Sequence, residues 1–102
     1  MKYKVCFPSQ SIENKFNKIL IKIPQVDIQN KVMKTIEDLG NIPYPFGEKV
    51  FKKLKPPLQF YQLVAQYRLR VGDYRILYDV DEEKKIVWIL ALRKRSEKTY
   101  KT

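Results

Sequence analysis

The segment YRLRVGDYRILYDV, residues 67–80, decides the fold because it reads as two strands joined by a tight turn. Apolar and polar residues alternate along both halves of the segment, which is the period expected of a strand with one buried face. The dipeptide Gly72-Asp73 separates the two halves and is typical of two-residue hairpin loops. The pattern therefore predicts an antiparallel hairpin in which Val71 lies opposite Tyr74.

The polar face of the predicted hairpin carries positive charge. In this register Arg70 lies directly opposite Arg75, and Arg68 shares their face. Like charges that face each other destabilise a sheet, whereas guanidinium groups bind phosphate strongly, so the arrangement favours an anion site. The alternative is that Asp73, Asp79 or another acid neutralises the arginines. Asp79 lies four residues beyond Arg75, about 13 Å along a strand, which is too far to do this well.

The sequence before the hairpin predicts one strand and two helices. Lys2–Phe7 alternates apolar and polar residues and is predicted to be a strand. Apolar residues then recur at helical spacing from Ile12 to Ile23 and from Ile28 to Leu39, which predicts an antiparallel helical hairpin over residues 10–39. Ser9 supplies a helix start, and Gly40 is expected in the left-handed position after the second helix.

The remaining segments complete an α+β domain. Asn41–Gly47 is predicted to be a loop, and a basic segment without regular periodicity follows it, with lysines at positions 52, 53 and 55. Ile86–Leu92 is apolar on both faces, as a central strand is, and we expect Lys2–Phe7 and Tyr74–Val80 beside it. The predicted architecture is an N-terminal strand, an antiparallel helical hairpin and a three-stranded antiparallel meander, forming one twisted sheet.

The charge and composition of the chain exclude some classes of function and favour one kind of partner. The 102 residues include 21 Lys and Arg against 11 Asp and Glu, a net charge of +10, and every arginine lies between Arg68 and Arg95. This excess favours a polyanionic partner. The absence of histidine excludes imidazole catalysis and histidine metal sites, and the single Cys6 excludes an internal disulfide. Without a signal peptide or a long apolar run, the sequence predicts one cytoplasmic domain, residues 1–102.

The stretch YRLRVGDYRILYDVDEEKKIVWILALRKRSEKTY, Tyr67–Tyr100, resembles the C-terminal half of the RelE/ParE superfamily of bacterial and archaeal toxins. The preceding strand and helices match the order of elements in that superfamily. The resemblance implies a fold like that of microbial ribonucleases. For a RelE-like member it implies a toxin of a type II toxin–antitoxin system that cuts messenger RNA on the ribosome without a metal or cofactor. It also implies an acidic antitoxin as partner, in a toxin–antitoxin hetero-oligomer.

The resemblance also assigns the site residues. It implies catalytic roles for Arg70, Arg75, Arg95 and Tyr100. Together with the clustered charge, it predicts an RNA-binding set made of Lys52, Lys53, Lys55, Arg68, Arg93, Lys94 and Lys98. RelE-like enzymes often have lysines at the positions of Arg68 and Arg70, and many have a histidine at that of Lys94. The candidates for a general base are therefore Tyr100, Lys94 and Glu97.

Two other functions fit the same residues. A ParE-like inhibitor of DNA gyrase would bind its target without any nuclease chemistry, and the missing lysine or histidine base favours it. A non-catalytic basic RNA-binding module is the other alternative. The combination of Arg75, Arg95 and Tyr100 favours the nuclease.

Overall fold

The computed structural model describes residues 2–45, 47–60 and 62–95, which form two helices and one sheet of five strands. In chain order the elements are β1 (Lys4–Cys6), α1 (Gln10–Leu20), α2 (Val26–Leu39), β2 (Phe51–Phe60), β3 (Leu63–Val71), β4 (Tyr74–Asp81) and β5 (Ile86–Lys94). The strand order is β1-β5-β4-β3-β2. The predicted α+β architecture with a strand before the helical hairpin is confirmed.

The hairpin of β3 and β4 has the predicted register. Val71 pairs with Tyr74, and Arg70 pairs with Arg75. Gly72 occupies the turn at φ +57°, a conformation that glycine adopts without the steric cost of a side chain. The turn residues and the alternation therefore determine which side chains share a face.

β5 is an interior strand, as its apolar sequence predicts. It pairs in parallel with β1 through residues 86–88 and antiparallel with β4 along most of its length. One extra residue interrupts the second ladder, because Leu77 pairs with Ala91 while Tyr78 pairs with Ile89. The parallel partner is short, so only the first third of β5 is covered by β1.

The basic segment around Leu54 differs from the sequence prediction, because it forms β2 and adds a fourth antiparallel strand next to β3. Its pairing is interrupted between Lys53 and Leu58. Pro56 and Pro57 lie in the interruption, where they cannot donate backbone hydrogen bonds, and an edge strand tolerates this. The interruption breaks the period of two that would have indicated a strand.

The ends of the helices agree with the sequence in one case and not in the other. Ser9 caps α1, since its Oγ accepts a hydrogen bond of 3.2 Å from the backbone N–H of Ile12. The left-handed conformation expected for Gly40 is wrong: its φ is −64° and it continues the right-handed turn. Gly40 is buried, and its carbonyl accepts a hydrogen bond of 2.8 Å from the N–H of Tyr3, which ties α2 to the start of β1.

Apolar side chains fill both faces of the sheet unequally. The larger cluster lies between the helices and the sheet and includes Phe16, Val32 and Tyr78. The smaller cluster of Ala65, Leu77 and Leu90 lies on the opposite face, which we call the outer face. Among the described residues, no helix is long and apolar enough to cross a membrane.

Candidate functional site

Three arginines lie side by side across the outer face of the sheet. Arg70 of β3 pairs with Arg75 of β4, and Arg75 in turn pairs with Arg93 of β5. Leu69 precedes Arg70 and Ile76 follows Arg75, and both are buried against the helices. Because side chains alternate along a strand, the arginines lie on the other face. We call Arg70, Arg75 and Arg93 the arginine rung.

Further cations surround the arginine rung. Arg68 lies two residues before Arg70 on β3, and Lys52 pairs with it from β2. Arg95 follows the end of β5, where its backbone N–H donates a hydrogen bond to the carbonyl of Asp73. This bond holds the chain after β5 against the hairpin turn, and it keeps Arg95 beside the rung.

The arginines repel one another, which is visible in their pKa values. Burial lowers the pKa of Arg68, and the charges of Arg70 and Arg95 lower it further. Burial also lowers the pKa of Arg75, and the charges of Arg68, Arg95 and Arg70 lower it further. The Nε of Arg68 is buried and has no hydrogen-bond partner among the described residues. A bound phosphate group would supply both the missing acceptor and the missing negative charge.

Acidic side chains do not offset this charge at Arg68 or Arg70, since neither forms an ion pair with a described residue. Asp79 shares the outer face but pairs with Trp88, four residues along β4 from Arg75. Burial raises the pKa of its carboxyl. Within residues 2–45, 47–60 and 62–95, no group of three His, Cys, Asp or Glu side chains could hold a metal ion. These contacts favour an anion site.

Three lysines of the predicted RNA-binding set do not join the arginines. Lys53 pairs with Tyr67, and Lys94 pairs with Tyr74, so both occupy positions that alternate toward the helix side. Lys55 lies in the interruption of β2, where no pairing is defined. The structure therefore brings together Lys52, Arg68, Arg70, Arg75, Arg93 and Arg95. Tyr100 and Lys98 lie outside the described residues, as does Glu97.

One further cation, Lys15, lies near the arginine rung and was not predicted from the sequence to do so. Lys15 of α1 lines a cavity of about 260 Å³ together with Arg93 and the buried Phe16. The cavity lies between α1 and β5, on the part of β5 that β1 does not cover. The signal in the sequence is the position of Lys15 on one flank of the amphipathic helix.

The sequence model of one protein family matches residues 11–99, which include both helices, the arginine rung and Arg95. That family is the ParE toxin of type II toxin–antitoxin systems, parDE. The chain belongs to this toxin family. The resemblance to the RelE/ParE superfamily is thereby confirmed. No curated protein matches the sequence.

Solved structures of RelE toxins resemble the chain over nearly its whole length. The archaeal RelE–RelB complex from Pyrococcus horikoshii OT3 contains a chain that is 28% identical, with a TM-score of 0.70, and the match covers 95% of this toxin and 99% of that chain. The RelBE2 toxin–antitoxin complex from Mycobacterium tuberculosis gives 28% identity, a TM-score of 0.61 and coverages of 93% and 100%. The intact E. coli RelBE complex, at 18% identity and a TM-score of 0.53, shares the fold over 93% of this chain and 98% of that chain.

Proposed function

We propose that this toxin is an endoribonuclease that cuts messenger RNA on the ribosome. The observation that carries the proposal is the arginine rung, in which Arg75 lies between Arg70 and Arg93. Three guanidinium groups on one face bind the phosphate backbone of RNA in a way that scattered lysines do not. The two RelE chains at 28% identity support a RelE-like role for the same face.

The proposed reaction uses the nucleophile that RNA itself carries. The ribose 2′-hydroxyl attacks the adjacent phosphorus, its proton passes to a base, and the bond from phosphorus to the 5′-oxygen breaks. The products are a 2′,3′-cyclic phosphate and a free 5′-hydroxyl, the latter protonated by an acid. Negative charge grows on the phosphoryl oxygens in the transition state, and Arg70, Arg75 and Arg95 would stabilise it electrostatically.

The position of Lys94 reduces the three candidates for the general base to two. Lys94 occupies a helix-side position, opposite Tyr74, while the arginine rung occupies the outer face. This argues against Lys94 as the base. We therefore propose Tyr100 as the group that orients or deprotonates the 2′-hydroxyl, with Glu97 as the alternative.

We also propose that an acidic antitoxin neutralises the toxin in the cell. The P. horikoshii and M. tuberculosis relatives were solved as toxin–antitoxin complexes. A net charge of +10 with several arginines on one face of the sheet suits an acidic partner. Such a partner would bind in competition with RNA if it covers the rung. The affinity of the antitoxin for the toxin, measured by titration, should then fall steeply as the salt concentration rises.

A second function is favoured by the family match itself. The matching family is that of ParE toxins, and a ParE-like member would inhibit DNA gyrase without cutting RNA. The absence of histidine and the presence of arginine at positions 68 and 70 fit this alternative, because arginine is a poor general base. In that case the same basic face would bind protein or DNA.

Cleavage of a ribosome-bound message by purified toxin tests the proposal. Arg75→Ala and Arg95→Ala should each lower the rate by about 100-fold or more, while thermal melts show that both variants remain folded. Tyr100→Phe should lower it strongly if the hydroxyl carries the proton and mildly if the ring only stacks on a base. Lys94→Ala is the charge-matched control from the other face and should have a smaller effect.

The outcomes separate the two functions. Full cleavage by Arg75→Ala and Arg95→Ala would refute the assignment of the site. A wild-type toxin that stops growth and blocks DNA supercoiling by gyrase, yet leaves ribosome-bound messages intact, would establish the ParE-like function instead.

A further inference from the structure

A cleft lies on the sheet at the end of β4 that is farther from the arginine rung. It has a volume of about 240 Å³, and its lining includes Asp79, Trp88, Leu63 and Leu90. Asp79 of β4 pairs with Trp88 of β5, so the two side chains lie next to each other on the outer face. Cavities of roughly 150 Å³ can hold a benzene ring. The cleft therefore has room for one planar six-membered ring.

The carboxyl group of Asp79 has an unused acceptor. Burial raises the pKa of this carboxyl, whereas hydrogen bonds from the backbone of Val80 and the side chain of Gln66 lower it. The Oδ1 atom is buried and has no hydrogen-bond partner among the described residues. The other acid in the lining, Asp81, accepts a hydrogen bond of 2.9 Å from the N–H of Lys84 in the β4–β5 turn. A buried acceptor without a partner destabilises the fold, so a ligand N–H at Asp79 would be favoured.

The aromatic ring of Trp88 gives the cleft an apolar wall. Trp88 is partly buried and packs against the outer-face cluster, which includes Leu77 and Leu90. Proteins bind single-stranded RNA by stacking its bases on aromatic rings and by forming hydrogen bonds with the edges of those bases. An ionised carboxylate accepts hydrogen bonds and donates none. The pair of Asp79 and Trp88 therefore suits a flat ring that carries N–H donors.

We propose that the cleft of Asp79 and Trp88 binds a base of the RNA whose phosphates lie on the arginine rung, and that it selects bases with an amino group. Cytosine and adenine carry such a group, and a carboxylate can accept a hydrogen bond from it. Uracil has a carbonyl oxygen at the position where cytosine has its amino group, and this oxygen would face the carboxylate without a hydrogen bond.

The proposal rests on the proposed function and deepens it, because it concerns the base preference of the same RNA-binding face. Asp79 lies four residues beyond Arg75, about 13 Å along β4. A single strand that crosses the rung can therefore place a nearby base in the cleft. Phosphate contacts at the rung carry no sequence information, whereas contacts with base edges do.

The position of the only tryptophan of the chain provides a direct measurement of binding in the cleft. The toxin is titrated with oligocytidylate and with oligouridylate of the same length, and the fluorescence of Trp88 is recorded. A base stacked on the indole should quench it, and the affinity for oligocytidylate should be about tenfold higher. Both affinities should fall as salt rises while their ratio stays constant, because salt weakens the phosphate contacts that both RNAs share. Equal affinities, or saturation without a change in fluorescence, would overturn the proposal.

Three variants assign the preference to its side chains. Asp79→Asn keeps the shape of the side chain but replaces one acceptor with a donor, so the ratio of the two affinities should fall close to one. Glu83→Gln is the matched control, because it removes the same charge from an exposed position in the β4–β5 turn, and it should keep the preference. Trp88→Leu should weaken the binding of both RNAs by about tenfold. A folded Asp79→Asn protein that still prefers oligocytidylate would overturn the proposal.

Cleavage of ribosome-bound messages separates the cleft from the nuclease. Equal affinities for the two oligonucleotides, with cleavage intact, would overturn the base-binding cleft and leave the nuclease in place. A preference that depends on Asp79, in a toxin that cuts no message, would support the cleft and overturn the nuclease. A toxin that binds neither oligonucleotide and cuts no message would overturn both.

Discussion

The central arginine of the rung should destabilise the folded toxin, and replacing it should therefore stabilise the protein while abolishing its proposed activity. Arg75 faces two like charges at once, Arg70 on one side and Arg93 on the other. Directly opposed pairs in a sheet lie about 4.5–5.5 Å apart at Cβ, and each unfavourable pair costs on the order of 0.2–1 kcal/mol. Arg75→Met removes both pairs but keeps most of the apolar stem that is partly buried.

The expected gain is about 0.4–2 kcal/mol in the free energy of unfolding, from two pairs of this size. For a chain of this length that corresponds to a rise in Tm of about 2–8 °C. The pKa of Arg75 is lowered first by burial and then by the charges of Arg68, Arg95 and Arg70, so the folded state disfavours the charged guanidinium. Screening should remove the gain in about 1 M salt, where the Debye length is only about 3 Å.

Urea denaturation and thermal melts in low and high salt measure the effect. Arg70→Met is the matched control, because Arg70 lies at the end of the rung and its removal relieves one opposed pair instead of two. Its gain should be about half as large. An Arg75→Met protein that is less stable than wild type in low salt would refute this reasoning. A stability difference that does not change with salt would also refute the view that repulsion between the arginines destabilises the fold.

Three further variants test the parts of the fold that support the site. The hydroxyl of Tyr78 is buried and donates a hydrogen bond of 2.8 Å to the carbonyl of Pro43, so Tyr78→Phe should cost about 1–3 kcal/mol in urea denaturation. Leu77→Ala should cost about 2–5 kcal/mol, because Leu77 is buried in the outer-face cluster; a loss below about 1 kcal/mol would mean that this cluster packs loosely. Hydrogen bonds from two tyrosines and a lysine lower the pKa of Glu82 below its ordinary 4.5. The ionised carboxylate therefore stabilises the folded state above pH 4.5, and this stabilisation is lost as the pH falls through the pKa of the folded state. The difference in urea midpoint between wild type and Glu82→Gln should accordingly shrink between about pH 5 and pH 3, and a difference independent of pH would contradict the assigned hydrogen bonds.

The sequence was sufficient for the elements whose register depends on local patterns. The Gly72-Asp73 turn and the alternation around it predicted that Arg70 faces Arg75, and the structure has that pair. The sequence also indicated the interior position of β5, because a strand covered on both faces must be apolar throughout. The hairpin register depends on residues that are close in the chain, and the interior position of β5 depends on the composition of a single segment.

Features that depend on distant partners were not predictable in this way. β2 is held by its pairing with β3, across an interruption that hides its alternation. Glu82 accepts hydrogen bonds from Tyr3, Tyr44 and Lys85, and the first of these lies 79 residues away in the chain. The third arginine of the rung, Arg93, required knowledge of the β4–β5 register, which contains an extra residue. Counting residues along β5 without that irregularity would have placed it differently.

The packing on the two faces of the sheet explains why the fold is stable despite repulsion between the arginines. The helix side buries the larger apolar cluster, including Val32, Ile76 and Val87, which are fully inaccessible to solvent, and burial of each such side chain stabilises the fold by about 1.5–3 kcal/mol. The arginine rung costs less than two of these side chains contribute. The larger apolar cluster and the arginines therefore lie on opposite faces of the same strands, so substitutions among the arginines need not repack that cluster. Helix α1 shows the same division, because Phe16 and Ile19 pack in the apolar cluster while Lys15 and Lys18 are exposed.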